Sequence, residues 1–169
     1  MELAGKFASA NHFVIHYRVA EAVGLKEAAV VENHHNFAWR EKLPDGRTVI
    51  VHRKGATPAG PGVLGVIPGS MGDPGYVVRG RGMAESLNSA SHGAGRLMSR
   101  KSALNSISKK DRDNYLKDNG VTLLGGGMDE SPQAYKPIDT VIAAQQDLVD
   151  VIGKFTPRVV RMADEAGEY

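Results

Sequence analysis

The stretch SASHGAGRLMSR, Ser89 to Arg100, sets one histidine, His92, between small residues and a basic amphipathic segment. Gly93 and Gly95 carry no Cβ, so the backbone there can approach a ligand closely or take a positive φ. Leu97, Met98, Ala103 and Leu104 continue in a helical rhythm, which predicts a helix over roughly 94–107. The segment therefore reads as a loop feeding a helix N-terminus, with a histidine at its mouth. Unpaired N–H groups and the positive end of the dipole attract phosphate to such a terminus. A histidine placed there can be a ligand, a general base or a nucleophile. The same glycines also suit a plain tight turn.

Just upstream, residues 58–82 are dense in glycine and proline. Val63 to Ile67 is a short apolar strand, Pro68-Gly69-Ser70-Met71-Gly72 a tight loop, and Tyr76 to Val78 another strand. Backbone N–H groups in such loops form anion-binding concavities. Further back, Phe37 to Leu43 and Thr48 to His52 flank Pro44-Asp45-Gly46, a turn sequence, and read as a hairpin. His34 and His35 are adjacent, so on a strand they point to opposite faces and at most one joins a given site. His52-Arg53-Lys54 ahead of Gly55 reads as a basic rim over an anion, or as an ordinary basic loop. At the start of the chain, Leu3, Phe7, Ala10, Val14 and Tyr17 recur at spacings of four and three, giving a helix over 2 to about 23 with one apolar stripe. His12 and His16 share a face of that helix. Without a carboxylate at a matching spacing they read as surface histidines rather than a metal pair.

Downstream, a polar helix is expected over 109–118, with Gly120 as its C′ residue. Val121 to Leu124 is a strand stopped by Gly125-Gly126-Gly127, and Met128 to Pro137 a loop carrying Asp129, Glu130 and Lys136. Asp139 suits an N-cap. Val141, Ile142, Gln145, Leu148, Val149 and Ile152 give the buried face of the helix it would start. Phe155 and Pro157 close that helix, and Arg158 to Met162 form a last strand. The acidic tail Ala163 to Tyr169 is expected to fray.

At 169 residues the chain is one domain or part of a larger one. Its 41% hydrophobic and 24% charged residues are those of a globular chain, and no apolar run is long enough to span a membrane. With no cysteine, disulfides and thiolate metal sites are excluded. Twenty glycines, above the usual share of about 7%, point to many loops where backbone meets ligand. The net charge is only +2, yet Arg96, Arg100, Lys101, Lys109, Lys110 and Arg112 are close in sequence. Locally basic surface suits a polyanion, though solvated helix faces are the more common cause.

Taken in order, five pieces resemble the RtcB family of RNA-splicing ligases. They are His34-His35-Asn36-Phe37-Ala38, His52-Arg53-Lys54-Gly55-Ala56-Thr57, Pro68-Gly69-Ser70-Met71-Gly72, Ser91-His92-Gly93-Ala94-Gly95-Arg96 with Met98-Ser99-Arg100, and Asp129-Glu130 with Ala134-Tyr135-Lys136. The likeness is to the C-terminal part of the family, closer to its shorter bacterial branch than to the archaeal type. It implies an α+β fold of mixed sheets with flanking helices, with residues 1–169 a single catalytic segment of a larger family fold.

The resemblance also implies an activity. Family members join RNA 3′-phosphate or 2′,3′-cyclic phosphate ends to 5′-hydroxyl ends, using GTP and manganese (Mn2+). A histidine is guanylylated, GMP passes to the RNA 3′-phosphate, and the 5′-hydroxyl displaces it. By motif match His92 is that nucleophile. Asn36, Pro68, Gly69, Ser70, Met71, Gly93, Ala94 and Gly95 bind the nucleotide with it, and His35 is a manganese ligand. Charge alone adds Arg53, Lys54, Arg96 and Arg100 as candidates for the phosphates of GTP or RNA. The implied partners are RNA (tRNA halves or broken RNA), an N-terminal half of the same enzyme and an archease-like activator, with no membrane and a cytoplasmic setting. The family's Asp-x-x-Cys pair and two further metal-binding histidines have no counterpart here, and Gly75 stands where many members place a serine. The family's final lysine is absent as well. The alternative expectation is a catalytically incomplete fragment: a GMP- or RNA-binding remnant, or one half of a split ligase.

Overall fold

A computed structural model describes residues 1–34, 36–43 and 45–162. The expectations for His35, for Pro44 in the hairpin turn and for the tail 163–169 lie outside the described residues. The elements in chain order are helix α1 (Glu2–Ala22), strands β1 (Asn36–Lys42), β2 (Thr48–Lys54), β3 (Ala56–Pro58), β4 (Leu64–Pro68), β5 (Gly75–Gly80) and β6 (Ser89–Ser91), helices α2 (Arg100–Ser106) and α3 (Lys109–Asp118), strand β7 (Thr122–Gly125), helix α4 (Ile138–Ala143), and strands β8 (Val149–Phe155) and β9 (Val159–Arg161). The fold is α+β, as the family resemblance implies. Its strands form small sheets: the antiparallel pairs β1–β2 and β3–β6, the antiparallel trio β4–β5–β8, and the parallel pair β7–β9.

The main core lies around the three-stranded sheet. Ile67, Tyr76, Val78 and Val149 from its strands pack with Ala90 and Ala94 near the central motif and with Ile138 and Ile142 of α4. A second cluster joins Met71 to Leu116 of α3 and to Val121. The two clusters grip the loop 68–72 from both ends.

Local signals account for several elements. The β1–β2 hairpin pairs Asn36 with Lys54 through Lys42 with Thr48, two residues longer on its second arm than the sequence suggests. Helix α3 starts at Ser108, whose side chain accepts the Asp111 N–H. It ends in a Schellman motif: Gly120 takes φ +66, its N–H donates to Lys117 O, and the Val121 N–H donates to Leu116 O.

Three expectations need correction. The helix expected over 94–107 is α2 alone. Residues 92–99 stay irregular because their N–H groups are used across the fold, Ala94 N–H on Pro68 O and Leu97 N–H on Ala134 O. Ser99, whose side chain accepts the Ser102 N–H, is the true N-cap. The helix expected from Asp139 to Ile152 covers only 138–143. Pro137 precedes it, Asp139 lies in its first turn, and from Val149 the chain is strand, pairing Val149 with Gly80 and Val151 with Val78. The unpaired edge of β5 offers this β-branched segment a full ladder, which outweighs its helical spacing.

The third correction concerns α1. It forms as expected, but its stripe is not covered: Leu3, Phe7, Ala10, Val14 and Tyr17 are all exposed, and Gly5 is the helix's one buried residue. Gly5 lets the helix meet Phe37, since a Cβ there would lie 2.6 Å from the ring. Ser9 and His12 reach Glu32, at 2.8 and 3.0 Å. The Ser9 hydrogen bond, ahead of His12, lowers the Glu32 pKa. Among the described residues, no helix is long and apolar enough to cross a membrane.

Candidate functional site

Two loops meet at the motif around His92. The first, residues 68–72, follows β4 and is tied back by Gly69 N–H on Pro74 O at 3.0 Å and Asp73 N–H on Ser70 O at 3.2 Å. Gly69 has no room for a side chain, because a Cβ would come 2.5 Å from Pro74 O. The second, residues 92–95, leaves β6, whose partner is β3. Backbone joins the loops directly: the Ala94 N–H donates to Pro68 O at 3.0 Å, and a Cβ on Gly93 would lie 3.3 Å from the same oxygen.

Between them is a cavity of about 450 Å³ walled by Pro68, Gly69, Ser70, Met71, His92, Gly93, Ala94 and Gly95, and closed by Glu130, Tyr135, Val160 and Met162. Eight of the nine residues expected at the nucleotide thus share one cavity, in the size range of small-molecule sites. His92, half-buried, also borders a second cavity of about 830 Å³, with Lys136, Val141, Gln145 and Leu148 among its walls. The helix-terminus picture does not hold, since α2 begins eight residues after His92. Nor is this loop a ring of unpaired donors: the His92 N–H donates to Gly55 O, the Ala94 N–H to Pro68 O and the Gly93 N–H to Ser91 Oγ.

Asn36 is placed elsewhere. Its Oδ1 lies 2.6 Å from His52 Nε2, and its cavity is shared with Gly5, His12, His34 and Phe37. His34 stacks on Phe37, ring centres 4.6 Å apart. His35 lies outside the described residues, and among those described no group of three or more histidines and carboxylates could hold a metal ion. The residues on view therefore do not make a manganese centre by themselves.

Three of the four cations assigned to phosphates by charge are paired within the chain, Arg53 buried and Arg100 still exposed. Arg53 is 3% exposed, pairs with both oxygens of Glu41 at 2.5 and 3.0 Å, donates to Ser89 Oγ and Leu87 O, and covers the Trp39 ring. Arg96 donates to Met98 O, Asp129 O and Tyr135 Oη. Arg100 is paired with Asp129 and Glu130, and the Asp129 hydrogen bond raises its pKa. Lys54 remains exposed.

Sequence reading missed the polar frame of the cavity. Tyr135 donates its hydroxyl hydrogen to Glu130, and burial, followed by that bond, raises its pKa. Tyr115 of α3 donates to Asp73 Oδ1 at 2.6 Å across 42 residues of chain, a separation no local pattern marks.

The model of the family "tRNA-splicing ligase RtcB" matches residues 1–163. The RNA-splicing ligase RtcB1 of Escherichia coli is 47% identical over 119 residues, covering 70% of this chain and 29% of that protein. The tRNA-splicing ligase RtcB of Thermococcus kodakarensis is 32% identical over 190 aligned positions, covering 93% of this chain and 39% of that protein. For the tRNA-splicing ligase RtcB of Methanocaldococcus jannaschii the figures are 37% over 142 positions, 71% and 15%. The chain spans well under half the length of these relatives.

Proposed function

The chain belongs to the RtcB family of tRNA-splicing ligases, and from that premise we propose that it carries the nucleotidyl-transfer site of an RNA ligase that joins RNA 3′-phosphate or 2′,3′-cyclic phosphate ends to 5′-hydroxyl ends. The observation that supports this reading best is the shared cavity of residues 68–71 and 92–95, with His92 on its wall. GTP is the donor in this reading, and RNA (tRNA halves or broken RNA) the acceptor. An imidazole nitrogen of His92 attacks the α-phosphorus; the new N–P bond forms as the bond to pyrophosphate breaks. A 2′,3′-cyclic end is first opened by water, which adds at phosphorus as the 2′-oxygen leaves; an oxygen of the RNA 3′-phosphate then takes the GMP and releases His92. The 5′-hydroxyl finally attacks the activated 3′-phosphate and displaces GMP.

The chain's own residues supply the nucleophile and the walls that orient the nucleotide, and Ala94 and Met71, both buried, keep water from that side. Manganese, which the family resemblance implies, would need ligands beyond the described residues. A second reading is that this segment is one half of a split ligase or a GMP- or RNA-binding remnant.

The chain is incubated with GTP radiolabelled at the α-phosphate and Mn2+, beside His92→Ala. Acid-labile label on the wild type alone is the expected result for transfer. Label that appears only when the remaining part of a longer relative is added identifies a split half, and the same reaction tests an archease-like activator. GMP binding without label identifies a binding module. Absence of both label and GMP binding overturns the nucleotide reading.

A further inference from the structure

Ser70 is on the wall of the cavity, and its hydroxyl is not free to choose its role. It donates its hydrogen to Asp73 Oδ2 and accepts the Gly72 N–H at 3.2 Å. A carboxylate only accepts, so a ligand meeting Ser70 finds a lone pair and no hydrogen. The other oxygen of Asp73 takes the Tyr115 hydroxyl at 2.6 Å. The phenol is protonated at neutral pH and donates; burial, helped by Asp73, pushes its pKa up to about 12. Helix α3 fixes this arrangement in space: a Cβ on Gly72 would lie 2.8 Å from the Tyr115 ring, and Leu116 packs with Met71. Across the cavity the Tyr135 hydroxyl has given its hydrogen to Glu130 and accepts from Arg96. Ser70, its hydrogen held by Asp73, thus meets the cavity as an acceptor, which suits an N–H group of a ligand. Asp73 and Tyr115 lie outside the five segments that carry the family resemblance.

We propose that Asp73 and Tyr115 are positioning residues that lock the Ser70 hydroxyl as an acceptor, and that this acceptor selects the N–H donor edge of the bound base. The inference rests on the nucleotide reading above. Guanine offers a ring N–H and an amino group on one edge; adenine offers a bare ring nitrogen in place of that N–H. Replacing Asp73 by Asn supplies an amide that can donate to Ser70, which frees the hydroxyl hydrogen to face the ligand.

The full chain and the variants Asp73→Asn and Tyr115→Phe are compared in two measurements. Equilibrium dialysis with radiolabelled GMP and AMP gives the selectivity ratio. It should fall about five- to tenfold in Asp73→Asn and less in Tyr115→Phe, the size of one exchanged hydrogen bond. Purely structural damage would weaken both nucleotides alike, and an unchanged ratio overturns the selectivity role. Amide exchange over residues 69–74 should accelerate in both variants, since the Gly72 N–H partner is loosened. Exchange identical to wild type overturns the positioning role. A wild-type chain that binds neither nucleotide, with its loop exchange still responding to the variants, removes the nucleotide reading and the selectivity role with it.

Discussion

The guanidinium of Arg53 makes four hydrogen bonds inside the protein, two of them to Glu41. Arg53→Ala would leave that carboxylate half-buried and unpaired, at a cost of about 3 kcal/mol. Chemical denaturation of the variant should show this as a lower midpoint, whereas Lys54→Ala should leave stability within about 0.5 kcal/mol of wild type. In sequence the two residues are neighbours with the same charge; strand alternation turns one inward and the other out. Tyr115 permits a pH prediction. Its folded pKa, about 12, is above the ordinary 10.0, so the folded state holds the proton longer than the unfolded chain. The contribution is complete below pH 10 and is lost as pH rises from 10 toward 12. Denaturation midpoints should therefore fall over that window, and Tyr115→Phe should fall less. An equal fall in both would show that Tyr115 carries none of it.

Helix α3 is the element on which the cavity's frame depends, and its ends are written locally. Ser108→Ala removes the cap on the Asp111 N–H and should cost about 1 kcal/mol. Because Tyr115 and Leu116 ride on the same helix, the variant should also speed exchange in the loop 69–74, detectable by mass spectrometry. The boundaries of α3 were legible because capping and αL chemistry are local. Those of the segment 138–155 were not. Val141, Ile142, Gln145, Leu148, Val149 and Ile152 fit a helix by spacing, yet the last two belong to a strand. A short apolar run satisfies both periods, and only the hydrogen bonds offered by the β5 edge break the tie. The same holds for 92–97, where Leu97 and Met98 suggested helix but backbone partners at Gly55, Pro68 and Ala134 had first claim.

Across the whole molecule, apolar surface gathers on α1 and the turn at its C-terminal end: Leu3, Phe7, Phe13, Tyr17, Val23 and Leu25 are all more than half exposed. A helix apolar on most of its circumference is normally buried, and an uncovered face of this kind promotes association. The 169-residue chain should run as an oligomer in light scattering and bind a hydrophobic dye. A variant carrying Leu3→Lys, Phe7→Lys and Tyr17→Lys should shift toward monomer, and a monodisperse, dye-silent wild type would count against this. Taken alone, the sequence determined what is settled by neighbours in the chain: the hairpin, the limits of α1 and α3, the glycine-rich loops, and the ordered motifs that carry the family likeness. The family likeness also grouped Pro68–Met71 with His92–Gly95, and the fold brings them to one cavity. Only the tertiary structure decided that Asn36 stands apart, that Arg53, Arg96 and Arg100 are spent on internal carboxylates and carbonyls, and that Asp73 and Tyr115 frame the cavity. Those outcomes depend on partners tens of residues away. A polar group's role depends on which donor or acceptor the fold sets beside it, and no local periodicity records that.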